Sequence, residues 1–297
     1  MALINIMAVR HSAFYSPLLM TMAGGYLKAE GLDYRYAVQT PENTVADNIE
    51  KGNCQVAQSA VAVSFSALEA GQQNSFVHFA QINGRDGFFL AGRQQNLNFR
   101  WQDLQGKKVL VDHFFQPLAM LKYGLHQQNI DYASLNVIDA GDVSAIEQAF
   151  RQGQADFVHM QGPAAQQLVR DGIAEMTVAV GELLGPVAFS SLCAGQEWLA
   201  SDEALAFMRA YKKATIYAIS APADELANKQ KEAGFFREID VNVLTDTISA
   251  YQSLNTWSEN PVIPKDAYQN LLDVFLYNGL ITKSYAYEEL ICQPPGD

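Results

Sequence analysis

Over its first two hundred residues the chain alternates short apolar runs with longer stretches whose apolar positions recur at helical spacing. Runs rich in Val, Ile, Leu, Met and Phe predict strands at 3–8, 32–38, 55–60, 76–82, 88–91, 109–111, 135–138, 157–160, 176–180 and 187–194. Helical patterns fall between them, at 17–30, 41–51, 60–71, 117–129, 142–152 and 163–173. This alternation predicts an α/β fold with mainly parallel sheets covered on both faces. After about residue 200 the pattern is helical, with 202–220 behind a Ser201 N-cap, then 222–233, 240–254, 265–278 and 284–291. No repeat or low-complexity tract interrupts it. The polar stretch 92–107 and GELLGP at 181–186 are the two places where the chain is expected to cross between domains. They predict an interrupted first domain, 1–92 plus 187–297, and a second domain at 93–186.

Proline suits the first helical positions, because its missing N–H would be unpaired there and its fixed φ is helical. Pro17, Pro41, Pro117, Pro163, Pro222 and Pro264 therefore read as helix starts. Three of them close strand-to-helix junctions with unusual contents. HSAFYSP carries His11, Ser12, Phe14, Tyr15 and Ser16; DHFFQP carries Asp112, His113, Phe114, Phe115 and Gln116; HMQGP carries His159, Met160, Gln161 and Gly162. In open α/β sheets ligands bind beyond the carboxyl ends of strands, where helix N-termini offer free N–H groups. Flat rings together with hydroxyl and amide groups predict a pocket for a small, planar, polar molecule. Core packing is the competing reading for each side chain, above all for Phe115 and Met160.

Charge narrows the partners. Twenty basic against 32 acidic residues give a net charge of −12, which repels nucleic acid and anionic membranes. Cys54, Cys193 and Cys292 are too scattered for a zinc site or a disulfide framework and read as buried free thiols. No apolar run is long enough to span a bilayer. No leader-like segment precedes the first strand, which leaves two compartments open: periplasmic for a processed chain, cytoplasmic if Met1 is the native start. G-x-S-x-G, Walker, G-x-G-x-x-G and H-E-x-x-H patterns are all missing. Asp112 and His113 are neighbours on an extended chain and should point apart, and His11, His113 and His159 lack metal-ligand spacing. No catalytic residue, metal or cofactor is expected from these patterns.

Several segments, in order, resemble a known family: FYSPLLMTMAGGYLKAEGLDYRY, ADNIEKGNCQVAQSA, LQGKKVLVD, AIEQAFRQGQADFVHMQGPAAQQL, MRAYKKATIYAI and NPVIPKDAYQNLLDVFLYNGLI. Nearly the whole chain is similar to type II periplasmic-binding-protein-like proteins. These include nitrate, taurine and alkanesulfonate receptors, receptors for thiamine-pyrimidine precursors, and the fungal thiamine-pyrimidine synthase. The resemblance implies a two-lobed α/β fold with a helical C-terminal part, a ligand cleft between lobes and closure by hinge bending. It implies Gln58, Ser59 and Ala60 as a further cleft wall, with Ser190 and Ser191 on the return crossing. The bulky HFFQ stands where anion-binding members carry a small turn, which favours a thiamine-pyrimidine-like precursor over a sulfonate. Ser59 and Val63 stand where the synthase has its lysine and histidine, so its self-consuming chemistry is not expected. The function implied is capture of a small aromatic or heteroaromatic solute for the permease of an ABC transporter. The alternative is a cytosolic enzyme or ligand sensor of the same fold in vitamin or cofactor-precursor metabolism. The expected contacts are His11, Phe14, Tyr15, Ser16, Gln58, Ser59, His113, Phe114, Gln116, Gln161, Gly162, Ser190 and Ser191.

Overall fold

The computed structural model describes residues 1–296. Its ten strands are β1 (Ala2–Ala8), β2 (Leu32–Val38), β3 (Val56–Ser59), β4 (Val77–Asn83), β5 (Phe88–Gly92), β6 (Lys108–Val111), β7 (Asn136–Ile138), β8 (Phe157–Gln161), β9 (Glu175–Ala179) and β10 (Ser190–Ala194). They form two five-stranded sheets, ordered β2-β1-β3-β10-β4 and β7-β6-β8-β5-β9. In each, the first three strands run parallel and an antiparallel strand, β10 or β5, is inserted fourth. Parallel strands need crossover helices, and those helices cover both faces. Hence Ile4, Ile6, Val56, Leu110 and Val158 are all buried.

Most expected elements form, and the departures have local causes. The helix expected at 17–30 stops at Ala23 and resumes at Tyr26, because Gly25 adopts a left-handed φ of 73°. The helix expected from Pro41 begins at Val45, where the Thr44 hydroxyl accepts from Asp47 N at 3.2 Å; Pro41 lies in the turn before it. Pro163, Pro222 and Pro264 occupy N-cap positions, and Pro117 is the third residue of helix Phe115–Gln127. The strand expected from residue 187 starts at Ser190, beside a register shift against β4. β5 already pairs in the second sheet, so the chain changes sheet at Gly84–Gly87, ahead of the 92–107 stretch.

The return passage runs beside the first. A side-chain carbon on Gly181 would sit 2.4 Å from the Asp86 carbonyl oxygen, and Arg85 Nη1 donates to the Gly181 carbonyl at 3.2 Å. A backbone atom cannot yield as a flexible side chain does, so only glycine fits there. The C-terminal helices then bind elements of both sheets. Tyr211 in helix Asp202–Ser220 donates to Gln81 O of β4 at 2.7 Å. The buried Tyr251 hydroxyl of helix Val241–Ser253 accepts from Gly162 N at 3.2 Å and donates to Gly87 O at 3.3 Å. Phe275 of helix Lys265–Tyr277 packs edge-on against Phe115, with ring centres 5.2 Å apart. Cys54, Cys193 and Cys292 are all free; the first two are buried as expected, whereas Cys292 is only partly buried. Among the described residues no helix is long and apolar enough to cross a membrane.

Candidate ligand-binding site

The strand ends of the two sheets face each other, and the three junctions meet there. Ser12 Oγ donates to Gly162 O at 3.4 Å, and the Tyr15 hydroxyl lies within hydrogen-bonding reach of the Gln161 side chain. Arg10 Nη2 approaches Asp112 Oδ2 to 3.8 Å. Three recesses open along this line. The innermost, about 90 Å³, lies among Val9, Arg10, Tyr15, Gln58, Phe88, Phe114, Phe115, Gln116, Gln161, Phe189 and Ser190. A second, about 270 Å³, shares Arg10 and Gln161 and adds His11, Ser12, Gly162 and Glu147. The third, about 500 Å³, shares Val9, Arg10 and Phe114 and adds Asp112, His113, Asp139 and Asp142. A larger cavity, about 790 Å³, lies elsewhere, along helix Val45–Glu50, residues 72–76 and Trp198, and shares only Val63 with the innermost recess. Size alone would select it; the convergence of strand ends selects the cleft.

Local structure fixes these side chains. Gln58 at the end of β3 accepts from Val9 N at 3.1 Å and Arg10 N at 3.3 Å through its Oε1, anchoring the residues that follow β1. Gln116 Nε2 donates to Phe189 O at 3.0 Å, joining a helix of the second sheet to the approach to β10. The Ser190 hydroxyl donates to Asn83 Oδ1. Burial pushes the Tyr15 hydroxyl up to about 12, with Arg10 and Gln161 opposing it, so Tyr15 stays neutral at physiological pH. Two helices begin at the recess, Val61–Glu69 after Ala60 and Phe115–Gln127 after Phe114, and neither has a side-chain cap. Val63 N already bonds Ala60 O at 2.9 Å and Pro117 has no N–H, so the first-turn N–H groups without an intrahelical partner are those of Val61, Ala62, Phe115 and Gln116.

Of the expected contact residues, Tyr15, Gln58, Phe114, Gln116, Gln161 and Ser190 line the innermost recess together. His11 and Gly162 line the second recess, and His113 the third. His11 bonds Tyr36 Oη at 3.0 Å through Nδ1 and stacks on Phe236 at 4.3 Å, while His113 Nδ1 donates to Val111 O at 2.7 Å. Phe14, Ser16 and Ser191 turn away from the cleft. Phe14 is fully buried against Tyr251 and Phe189 because the 3-10 turn Ala13–Tyr15 faces it into the core. Ser16 Oγ bonds Ala13 O and Gln230, and Ser191 bonds His78, both inside the fold. Ser59 is buried next to the recess without lining it, and its hydroxyl has no hydrogen-bond partner among the described residues. His159 and Met160 are core residues: His159 stacks on Phe88 at 4.8 Å, with its pKa lowered to about 3 by burial. Phe115, a core candidate from sequence, is instead partly exposed and lines the recess.

Sequence reasoning missed Arg10, Phe88 and Phe189. Arg10 is the consequential omission, because it touches all three recesses. Its signal was present: a cation directly after the first strand, next to His11, in an acidic chain.

Comparisons with known proteins agree with this architecture. Residues 13–225 match the family described as NMT1/THI5 like. The Bacillus subtilis (strain 168) protein named "Putative binding protein YtlA" is 25% identical over 292 residues, covering 97% of this chain and 87% of the relative. Among solved structures, the alkanesulfonate-binding protein SsuA from Xanthomonas axonopodis pv. citri, bound to MOPS, superposes with a TM-score of 0.71 at 12% identity, covering 99% of each chain. The periplasmic aliphatic sulphonate binding protein SsuA from Escherichia coli gives 0.72 at 13% identity, over 98% of this chain and 97% of the other. At such identities these two likenesses establish a shared fold.

Proposed function

This chain belongs to the NMT1/THI5-like family, and from that membership we propose that it is a solute-binding protein that captures a small, flat, polar molecule between two lobes and presents it to the permease of an ABC transporter. One observation carries the reading: strand ends from three distant parts of the sequence, represented by Val9, Arg10 and Tyr15, by Phe114 to Gln116 and by Gln161, line one recess between two sheets. The two sheets are the cores of the lobes, and the paired passages at Gly84–Gly87 and around Gly181 are the hinge. Aromatic faces at Tyr15, Phe88 and Phe114 suit a ring, and the amides of Gln58, Gln116 and Gln161 suit its edge groups. A thiamine-pyrimidine-like precursor meets that description, and so does an aromatic sulfonate.

The lining favours binding over turnover. Its titratable side chains are Arg10 and Tyr15. With its hydroxyl pushed up to about 12, Tyr15 does not exchange a proton readily near neutral pH, as an acid–base mechanism would require of it. A thermal-shift screen of pyrimidines, sulfonates and small aromatic acids tests the proposal. A ligand that binds only the folded state raises stability by RT ln(1 + [L]/Kd). At least one class should raise Tm, and Tyr15→Ala should weaken the shift. A Tyr15→Ala protein that responds as the parent does would remove the recess from consideration.

A further inference from the structure

The innermost recess and the outermost one carry opposite charge. Among the described residues, Arg10 is the only charged side chain lining the inner recess, whereas three carboxylates, Asp112, Asp139 and Asp142, line the outer one. Arg10 stands on the boundary. Its guanidinium makes no hydrogen bond among the described residues, and its single ion contact, to Asp112, is 3.8 Å long. The carbon of that guanidinium lies 5.7 Å from the Phe114 ring centre and 6.0 Å from that of Phe88, so the charge is held beside both rings of the aromatic wall.

Resting on the solute-binding reading above, we propose that the inner recess takes an oxyanion borne on a flat ring, with Arg10 as the residue that selects it. Three features support this beyond the lone cation. The Arg10 side chain is 27% exposed, so a charge–charge contact there is screened less than one on the open surface. The uncapped N-termini of helices Val61–Glu69 and Phe115–Gln127 end at the same recess and add partial positive charge. The neutral amides of Gln116 and Gln161 and the protonated Tyr15 hydroxyl supply further hydrogen-bonding groups without a competing negative charge. The acidic outer recess opposes the reverse orientation, leaving the ligand's neutral or N–H-bearing end to face Asp112 and Asp139. The guanidinium then exchanges a long contact with Asp112 for a short one with the ligand, and its planar fork suits a carboxylate, sulfonate or phosphate alike.

The experiment uses matched pairs that differ only in charge: benzoate against benzamide, and benzenesulfonate and phenyl phosphate against benzenesulfonamide, titrated into the full chain by calorimetry. The anionic member of at least one pair should bind roughly 10- to 100-fold more tightly than its neutral partner, the range expected for a charge-assisted hydrogen bond. The three anions distinguish which oxyanion the recess accepts. Arg10→Gln should erase the gap within the pair while leaving Tm of the ligand-free protein within a few degrees, and Arg10→Lys should restore part of it. If the neutral compounds bind as tightly as the anions, or the gap survives in Arg10→Gln, the inference is wrong while the solute-binding reading stands. If no ring compound of either charge, nor any pyrimidine in the wider screen, binds at all, the solute-binding reading falls and takes this inference with it.

Discussion

The first sheet brings to the cleft a polar wall with a charge on it: Arg10, Tyr15, Gln58 and Ser190. The wall from the second sheet is largely aromatic, with Phe88, Phe114 and Phe115 beside the amides of Gln116 and Gln161. Both sheets share one strand order, so the difference lies in the side chains at their strand ends and not in the scaffold. Neither wall suffices for a ligand that needs both a ring contact and a charge partner. Affinity therefore depends on how the walls meet, and the groups that hold them together matter as much as those that line them.

The largest expected effect comes from cutting into the aromatic wall at its buried end. Phe88 is 1% exposed and stacked on His159, so Phe88→Ala should cost about 3–5 kcal/mol of stability in urea denaturation. A loss under about 1 kcal/mol would mean that this wall is lining only and not core.

Next comes the passage between the walls. Asp86 is fully buried; its Oδ1 accepts from Phe88 N at 2.7 Å, its Oδ2 has no hydrogen-bond partner among the described residues, and burial raises its pKa from 3.8 to about 7. The folded state therefore holds a proton on Asp86 that the unfolded chain releases, and between about pH 4 and pH 7 stability is lost as pH rises. Asp86→Asn cannot titrate. Relative to the parent it should gain on the order of a few kcal/mol between pH 4 and pH 8. The pH dependence of the buried His78 and His159 has the opposite sign, with stability lost as pH falls below 6.5, and it cancels in the comparison. A difference between variant and parent that stays flat with pH would show that the carboxyl is already charged and solvated.

A smaller effect is expected at the tie. Tyr251→Phe removes the hydroxyl that bonds Gly162 N and Gly87 O and leaves a buried N–H unpaired, a loss of about 1–2 kcal/mol by denaturation. The smallest change in stability belongs to the rim. Phe114 is 53% exposed, so Phe114→Ala should alter stability by less than about 0.5 kcal/mol while weakening binding of a ring ligand by about 1 kcal/mol. Equal losses in stability and binding would place Phe114 with Phe88 and abolish the distinction between lining and core.

The scaffold was legible because its signals are local. Apolar runs such as LINIMA and KKVLVD announce buried strands, and Ser201 caps its helix as expected, accepting from Ala204 N at 3.1 Å. Fold class followed from the alternation, and the resemblance supplied the two-sheet plan. Which face a junction residue presents was much less legible. Phe14 and Tyr15 are adjacent, yet one fills the core and the other lines the recess, because the 3-10 turn between β1 and the first helix decides their directions. Ser190 and Ser191 divide in the same way by strand alternation, which follows only once the register of β10 is known. Arg10 escaped notice because its meaning depends on Asp112, Phe88 and Phe114, all more than seventy residues away.

Gln58 has a thermodynamic consequence. By accepting from two successive backbone N–H groups at Val9 and Arg10, it freezes the peptide from which the arginine projects before any solute arrives. The disorder still to be surrendered on binding is then confined to one side chain's rotamers, about 2 kcal/mol at most, and excludes the roughly 1–2 kcal/mol for each backbone residue that a loose strand end would have to order.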